Sequence, residues 1–537
     1  MKKLFSDTRI LDRACRENYG LSEDLMMENA AEALKQAVFC AARAKNLENP
    51  TVIIFAGGGN NGGDGYALGR KIQGILETFI YCVNEPVSEQ CKIQAKRAKK
   101  AKIPFLTDEM LEEKTKKIAI FVDCIYGSGF HGCFEQKIAE LIEKINGCGG
   151  IKIACDIPSG IDSKGQIESS GSDGKELAFK ADFTVCMGAL KSAFYSDFAK
   201  DFCGKISCAD LGISRELFEN SVCGEDGLEP EAFLLEASDL ILPERKKQNA
   251  NKGSFGHVAV ILGEKPGAAV ISGKAAFGFG AGLVTLVAAN SAANSAANGA
   301  ENHFLQVPCP AELMQGSELP DNVKAVAVGM GLGLFSCGAE RFLKNFFDFQ
   351  TREKYIPTVF DADMFYSKYL VQFLEKFAVD KNMSVLTPHP KEFASLLEMT
   401  GFGEVSVKEI VKNRIALSKK FVENYPNVVL LLKGANVCIT CKNSAGKIET
   451  FINPLGDCCI AKGGSGDVLS GMIAALLAQG FSAFEAAKNA SLAHALASQK
   501  MHGSYAVTPF SLIEKVAGLS ELDESEESEK SAGKQGN

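Results

Sequence analysis

The 537-residue chain has no apolar run suited to crossing a membrane: its longest uncharged stretch of apolar character, 468–484, is interrupted by Ser, Gln and Gly and reads as a buried helix. It has no surplus of positive charge. Lys and Arg number 58 against 66 Asp and Glu, a net charge of −8, which argues against nucleic-acid and anionic-membrane partners. It opens Met1-Lys2-Lys3-Leu4-Phe5-Ser6-Asp7, meeting charge before any apolar stretch develops, so no export signal is expected and a cytoplasmic location is. Without export, the 18 cysteines read as reduced thiols serving as small apolar residues. Cys438-Ile439-Thr440-Cys441 and Cys458-Cys459 have no histidine nearby, and residues three apart on a strand point to opposite faces, which disfavours zinc. The Gly-x-x-x-x-Gly-Lys-Ser/Thr pattern is missing too, which disfavours a P-loop nucleotidase.

What is present is enough chain for two large domains. β-rich runs at 51–55, 78–83, 118–123, 151–156, 183–187 and 205–211 alternate with helical patterns such as 90–101 and 134–145. The alternation resumes at 258–262, 283–287, 325–329, 358–361, 384–387 and 428–433. Such alternation predicts mostly parallel sheets covered on both faces. The expected division is a first domain over 1–220, a linker over 221–234, a second domain over 235–516 and a disordered acidic tail over 517–537. The short repeat at 291–298 is expected to be an exposed insertion.

Two glycine-rich turns carry the chemistry. The first, Gly57-Gly58-Gly59-Asn60-Asn61-Gly62-Gly63-Asp64-Gly65, follows a strand and formally fits a dinucleotide fingerprint. Asp64 counts against that fit, because a carboxylate at a helix start would face a pyrophosphate. Two further strands end in aspartate and a tight turn, at Asp123 and Asp156. The carboxyl ends of parallel strands share one edge, so three carboxylates are expected to converge there, with hard oxygen ligands suited to an alkali or alkaline-earth cation. Each aspartate taken singly could instead only cap a helix or bond turn amides.

Asn60-Asn61-Gly62-Gly63-Asp64-Gly65, Val122-Asp123-x-x-x-Gly127-Ser128-Gly129, Asp156-Ile157-Pro158-Ser159-Gly160 and Leu25-Met26-Met27-Glu28-Asn29-Ala30 resemble the NAD(P)H-hydrate epimerases, over roughly 1–215. The resemblance implies a Rossmann-like three-layer α/β/α domain. It also implies contacts to a hydrated nucleotide from Asn60, Asn61, Gly62, Gly63 and Asp64, from Gly127, Ser128, Gly129, Phe130, His131, Gly132 and Cys133, and from Asp156. Asn61, Asp123 and Ser159 would hold a potassium ion, and Asp156 is the candidate for proton transfer. Lys191 matches a family lysine without an assigned role.

The second turn, Gly463-Gly464-Ser465-Gly466-Asp467, opens a helix and resembles the anion hole of ribokinase-like kinases, in which Asp467 would accept the proton of an attacking hydroxyl. With Asn251-Lys252-Gly253, Val328-Gly329-Met330-Gly331-Leu332-Gly333, Asp361-Ala362-Asp363, Thr387-Pro388-His389-Pro390-Lys391-Glu392 and Leu432-Lys433-Gly434, it is similar to the ADP-dependent NAD(P)H-hydrate dehydratases, over about 235–515. That similarity implies a ribokinase-like α/β/α domain and assigns adenine-nucleotide contacts to Lys433, Gly434, Ala435, Asn436, Val437 and Gly466. It assigns contacts to the hydrate to Ala268, Gly331, His389 and Asp467. The pattern departs from the family at Gly456-Asp457, at Cys459-Ile460 and at Met364-Phe365-Tyr366.

The two resemblances together imply a bifunctional repair enzyme that epimerises hydrated NADH or NADPH and dehydrates the S form. ADP, with magnesium, would be the phosphoryl donor, and oligomers are a family expectation. Two other readings stay open on the residues alone: a ribokinase-like small-molecule kinase with a nucleotide-sensing N-terminal domain, and an NAD dehydrogenase. The dehydrogenase lacks an evident acid–base pair for hydride transfer.

Overall fold

The computed structural model describes residues 1–116, 118–222, 227–289, 309–333, 337–352, 355–376, 384–501 and 503–519. The repeat at 291–298, most of the acidic tail and part of the expected linker lie outside them. The chain divides into two compact units, Lys2–Phe233 and, apart from Met1, Leu234–Asn537.

The first unit holds a six-stranded parallel sheet of β1 (Thr51–Ala56), β2 (Thr78–Cys82), β3 (Ala119–Cys124), β4 (Gly150–Cys155), β5 (Phe183–Met187) and β6 (Lys205–Ala209), in the order β2-β1-β3-β4-β5-β6. Its two-residue side-chain period is visible in the core. Val52, Ile54 and Ala56 pack on one face, beside Leu34 and Val38 of helix α2 (Glu23–Ala44). Ile53 and Phe55 pack on the other, beside Ile138, Ile142 and Ile145 of helix α5 (Gln136–Gly147). Each of those isoleucines contributes about 1.5–3 kcal/mol by leaving water. Helices α1 (Arg9–Tyr19), α3 (Asn60–Ile72) and α4 (Glu89–Lys100) complete the elements that matter to the site.

In the second unit β7 (His257–Leu262), β8 (Leu283–Ala288), β9 (Met314–Gly316), β10 (Ala325–Val328), β11 (Thr358–Phe360), β12 (Ser384–Leu386) and β13 (Val428–Leu432) run parallel, in the order β13-β12-β11-β10-β7-β8-β9. β14 (Val437–Lys442) and β15 (Ile448–Asn453) extend the sheet antiparallel from β13. This hairpin modifies the expectation of parallel order: Lys442 and Ile448 pair across a short turn, which needs no crossover helix. Helices α6 (Pro266–Gly278), α7 (Pro390–Met399), α8 (Ser465–Ala478) and α9 (Ala483–Gln499) belong to this unit. α8 is buried along nearly its whole length after Asp467, and no helix among the described residues is long and apolar enough to span a membrane.

Cys438 and Cys441 lie within β14, both buried. Among the described residues no group of three His, Cys, Asp or Glu side chains is placed to hold a metal ion.

Candidate active sites

In the first unit the strands stop where the chemistry starts. β1 turns through Gly57–Gly59 into α3, whose opening turn carries buried Asn61 and Asp64. Gly62 has to be glycine, since a Cβ there would lie 1.9 Å from the Gly57 carbonyl oxygen. Asp123, fully buried at the end of β3, accepts from the Ile125 amide (3.1 Å), the Ser159 amide (2.8 Å) and the Ser159 hydroxyl (2.7 Å). Asn61 Nδ2 donates to the Tyr126 carbonyl at 2.9 Å, while Asn61 Oδ1 is buried with no hydrogen-bond partner. Ser159 Oγ also lies 3.3 Å from that carbonyl. A cluster of oxygens, one of them unsatisfied, is a donor set that fits a hard cation of low charge.

Asp156 follows β4 in the left-handed region (φ 64°), a conformation that costs a non-glycine residue about 1–3 kcal/mol and is kept where the surroundings enforce it. Lys191 Nζ sits 2.6 Å from Asp156 Oδ1, and the Ser128 amide donates to Oδ2 at 3.1 Å. Burial opposes ionisation of Asp156, but the Lys191 charge outweighs it and holds the carboxyl below its ordinary range. Lys191 is raised in return: burial disfavours its charge, and Asp156 more than restores it.

Asp156 opens on a cavity of about 810 Å³. Asn60, Asn61, Asp64, Gly127, Ser128, Gly129, Phe130, His131 and Cys133 line it as well. Gly62, Gly63 and Gly132 do not line it, and neither do Asp123 and Ser159. Tyr126, Phe130 and Phe134 form an aromatic cluster at this loop, with ring centroids 4.9–6.2 Å apart. Asp64, deeply buried and near Asp156, is raised well above the ordinary carboxylate range and receives the Cys155 thiol at 3.7 Å.

Sequence reasoning missed α1, which brings Arg9, Asp12, Arg13 and Arg16 to the same cavity. Leu11, Ala14 and Cys15 bury the opposite side of that helix. A charged face at helical spacing was the available signal, and it looks the same as a solvated surface.

The second site is built on the carboxyl edge of the parallel strands. Past β7, Lys265 N donates to Gly331 O at 2.9 Å, and Ala268 N to Lys265 O at 3.4 Å, which draws Ala268 and Gly331 to one turn. Past β11, Asp361 Oδ1 meets Lys433 Nζ at 2.9 Å, and Oδ2 accepts the Ser470 hydroxyl at 2.6 Å. Past β12, His389 caps α7: its Nδ1 accepts from the Lys391 amide (3.1 Å) and the Glu392 amide (3.2 Å). Glu392 answers by accepting from His389 N at 2.7 Å and lies 3.7 Å from Lys433 Nζ. Burial, then Lys433, lowers the His389 pKa.

Past β13 come Lys433, Gly434, Ala435 and buried Asn436, with Val437 opening β14. Burial works against the charge of Lys433, but Asp361 and Glu392 raise it overall. Facing this pair is the head of α8, entered through Gly464 at φ 93°, a left-handed turn that glycine takes without strain. A Cβ on Gly466 would lie 3.5 Å from Lys433 Nζ and 4.0 Å from Asp361 Oδ2. Asp467 follows in the first turn, its carboxyl pushed up to about 7 by burial and by Asp361, with Lys433 pulling the other way. His494 Nε2 holds the Ser465 carbonyl at 3.0 Å, and burial keeps that imidazole neutral, its pKa lowered to about 4.

The departures are structural in place. Asp457 Oδ1 accepts the Cys459 amide at 2.8 Å and caps the short turn Cys458–Ile460. Met364 and Phe365 are fully buried in the turn Ala362–Tyr366.

The geometry defines an α/β protein with two candidate sites: a cavity lined by paired and unpaired carboxylates, and a glycine-rich helix head that sets Asp467 near the Lys433–Asp361 pair. Comparison with known proteins narrows this. A family profile described as NAD(P)H-hydrate dehydratase matches residues 258–517, and one described as YjeF-related protein N-terminus matches 23–193. The chain is 40% identical over 520 residues to the bifunctional NAD(P)H-hydrate repair enzyme of Helicobacter pylori, covering 97% of this chain and 100% of the relative. It is 31% identical to the Coxiella burnetii enzyme of the same description, covering 92% and 93%. Among solved structures, a Bacillus subtilis ADP/ATP-dependent NAD(P)H-hydrate dehydratase co-crystallised with ATP and magnesium is 25% identical, with TM-score 0.40, covering 51% of this chain and 92% of that one. The chain belongs to the family of bifunctional NAD(P)H-hydrate repair enzymes.

Proposed function

We propose that the second unit dehydrates the S epimer of hydrated NADH or NADPH at the expense of ADP, giving AMP and phosphate, and that the first unit interconverts the R and S epimers. The observation that carries the reading is the unpaired, half-buried Asp467 carboxyl at the head of α8, facing the Lys433–Asp361 pair.

Hydration leaves a hydroxyl beside the nitrogen of the reduced nicotinamide ring. Hydroxide is a poor leaving group, its conjugate acid having a pKa of about 15.7, whereas phosphate leaves readily, with a conjugate-acid pKa of about 6. Asp467 takes the proton of that hydroxyl as the oxygen attacks the terminal phosphoryl of ADP. Amides of Gly463, Gly464, Ser465 and Gly466 at the helix start and the Lys433 ammonium face the charge that develops on that phosphoryl. Lys433, Gly434, Ala435, Asn436, Val437 and Gly466 hold the nucleotide, while Ala268, Gly331 and His389 position the hydrate. The magnesium that accompanies ADP supplies charge neutralisation along its phosphates. Loss of phosphate from the ring carbon then restores the dihydropyridine.

Because such a site acts on one epimer, the other accumulates unless it is exchanged. In the first unit Asn60, Asn61, Gly62, Gly63 and Asp64 and the loop from Gly127 to Cys133 hold the hydrated nucleotide, with Asp156 beside the reacting carbon. The orphaned Asn61 oxygen, Asp123 and Ser159 fit a potassium ion, which supplies fixed positive charge for nucleotide oxygens. We place the protein in the cytoplasm.

The test is to supply a mixed-epimer hydrate with ADP and follow both epimers by chromatography. Both are expected to disappear as NADH or NADPH absorbance returns. ADP or ATP consumption without that return would favour a small-molecule kinase instead.

A further inference from the structure

Epimer exchange, on the reading just given, asks for two proton positions. The oxygen leaving the ring carbon needs a donor, and the water returning to the opposite face needs an acceptor. Asp156 is suited only to the second, because Lys191 at 2.6 Å keeps it ionised. Lys191 is itself nearly buried and does not line the cavity. Asp64 lines the cavity from the opening of α3, but it is deeply buried and its carboxyl is engaged with the Cys155 thiol. Asp12 is placed differently. It projects from α1 into the cavity that Asp156 lines, with Arg9 paired to Asp7 and Arg16 to Glu23 beside it.

We propose that Asp12 is the proton donor of the epimerisation, acting in the same cavity as the ionised Asp156. Burial chiefly, and Asp156 and Asp7 with it, push this carboxyl up to about 6, while Lys191 and Arg16 pull it down. Glu23, Asp64 and Arg13 also face the cavity, from α2, α3 and α1, as do Tyr126, His131, Cys133 and Glu135 from the segment after β3. Up to about pH 6 a neutral acid therefore stands beside an anion, the arrangement that a pair of carboxylates adopts when their surroundings separate their pKa values.

The step balances. Asp12 gives its proton to the ring hydroxyl, and the carbon–oxygen bond breaks with its electron pair leaving on oxygen as water. The lone pair of the ring nitrogen closes a carbon–nitrogen double bond, whose positive charge is offset by Asp156. Water adds to the other face of the carbon, the double-bond pair returns to nitrogen, and Asp156 takes the proton released. Water bonded to a cationic centre is a strong acid, so a weak base suffices. That proton passes through cavity water back to Asp12, and no proton, electron or oxygen is consumed.

The test uses the full chain. Asp12→Asn should slow epimer exchange at least about a hundredfold, with ADP-dependent dehydration of the S hydrate at the parental rate as an internal control for the chain. Parental exchange, after subtraction of the uncatalysed rate, should fall as pH rises through about 6, where Asp12 loses its proton. That limb should be missing from the residual exchange of Asp12→Asn, and Asp12→Glu should recover part of the rate. A structural role for Asp12 would move the rate but not the limb. Parental exchange with an Asp12→Asn variant that matches its rate, or keeps its limb, overturns the assignment alone. A parental chain that exchanges nothing overturns the epimerase reading as well.

Discussion

The two sites share a device and use it in opposite ways. Each sets a lysine against an aspartate at the carboxyl edge of a parallel sheet, Lys191 with Asp156 at 2.6 Å and Lys433 with Asp361 at 2.9 Å. In the first unit the lysine is hidden behind the carboxylate, and the aspartate is the member that lines the cavity. In the second the aspartate is buried, its other oxygen taken by Ser470, and the lysine is the more exposed partner, 22% against 2%. The first pair therefore presents a negative charge to its ligand and the second a positive one. That difference matches a developing cation at one site and a phosphoryl group at the other.

The strongest test of the contrast is Asp467→Asn. It should lower ADP-dependent dehydration by about 10²–10⁴ while epimer exchange stays at the parental rate, both read by chromatography of the two epimers. Loss of both activities would mean that the sites are not independent. Next in size, Lys191→Met leaves Asp156 charged and buried without its partner, which should cost about 3–5 kcal/mol. The cost should appear as an earlier urea transition of the first unit, with epimer exchange abolished. Lys433→Met should spare that transition and weaken nucleotide binding instead.

A pH series sharpens the comparison further. Asp467 is raised to about 7, so its proton-accepting form is depleted below that pH. Dehydration should fall about tenfold per pH unit on the acid side of the midpoint, since ionisation of a single group sets the available fraction. A midpoint near 4 would show that Asp467 is solvated or is not the base. The smallest effect is expected from replacing potassium with a large organic cation in the buffer. Epimer exchange should fall several-fold, with dehydration of pure S hydrate unchanged, if the oxygens around Asn61 hold the ion.

The strand-and-helix alternation, both glycine turns and the carboxylates at 64, 123 and 156 were legible in the chain, because a parallel strand reads as a short apolar run and its end as a turn. Several expected strands proved one or two residues longer than the real ones: the run to 433 stops at Leu432, and that to 361 stops at Phe360. The trimmed residues, Lys433 and Asp361, are the ones that turn out of the sheet into the site. The antiparallel hairpin of β14 and β15 was not foreseen in its pairing, since pairing partners leave no mark on local composition.

Residue type and spacing alone determined the two α/β units and the family, and pointed to Asp467 as the candidate base, since glycine turns after apolar runs admit few backbone paths. Only the folded chain decided which carboxylates hold a proton. Asp156 and Asp12 look alike in sequence, yet Lys191, thirty-five residues past one of them, holds it ionised, and burial raises the pKa of the other to about 6. Ionisation depends on distance to other charges and on access to water, and both are properties of packing.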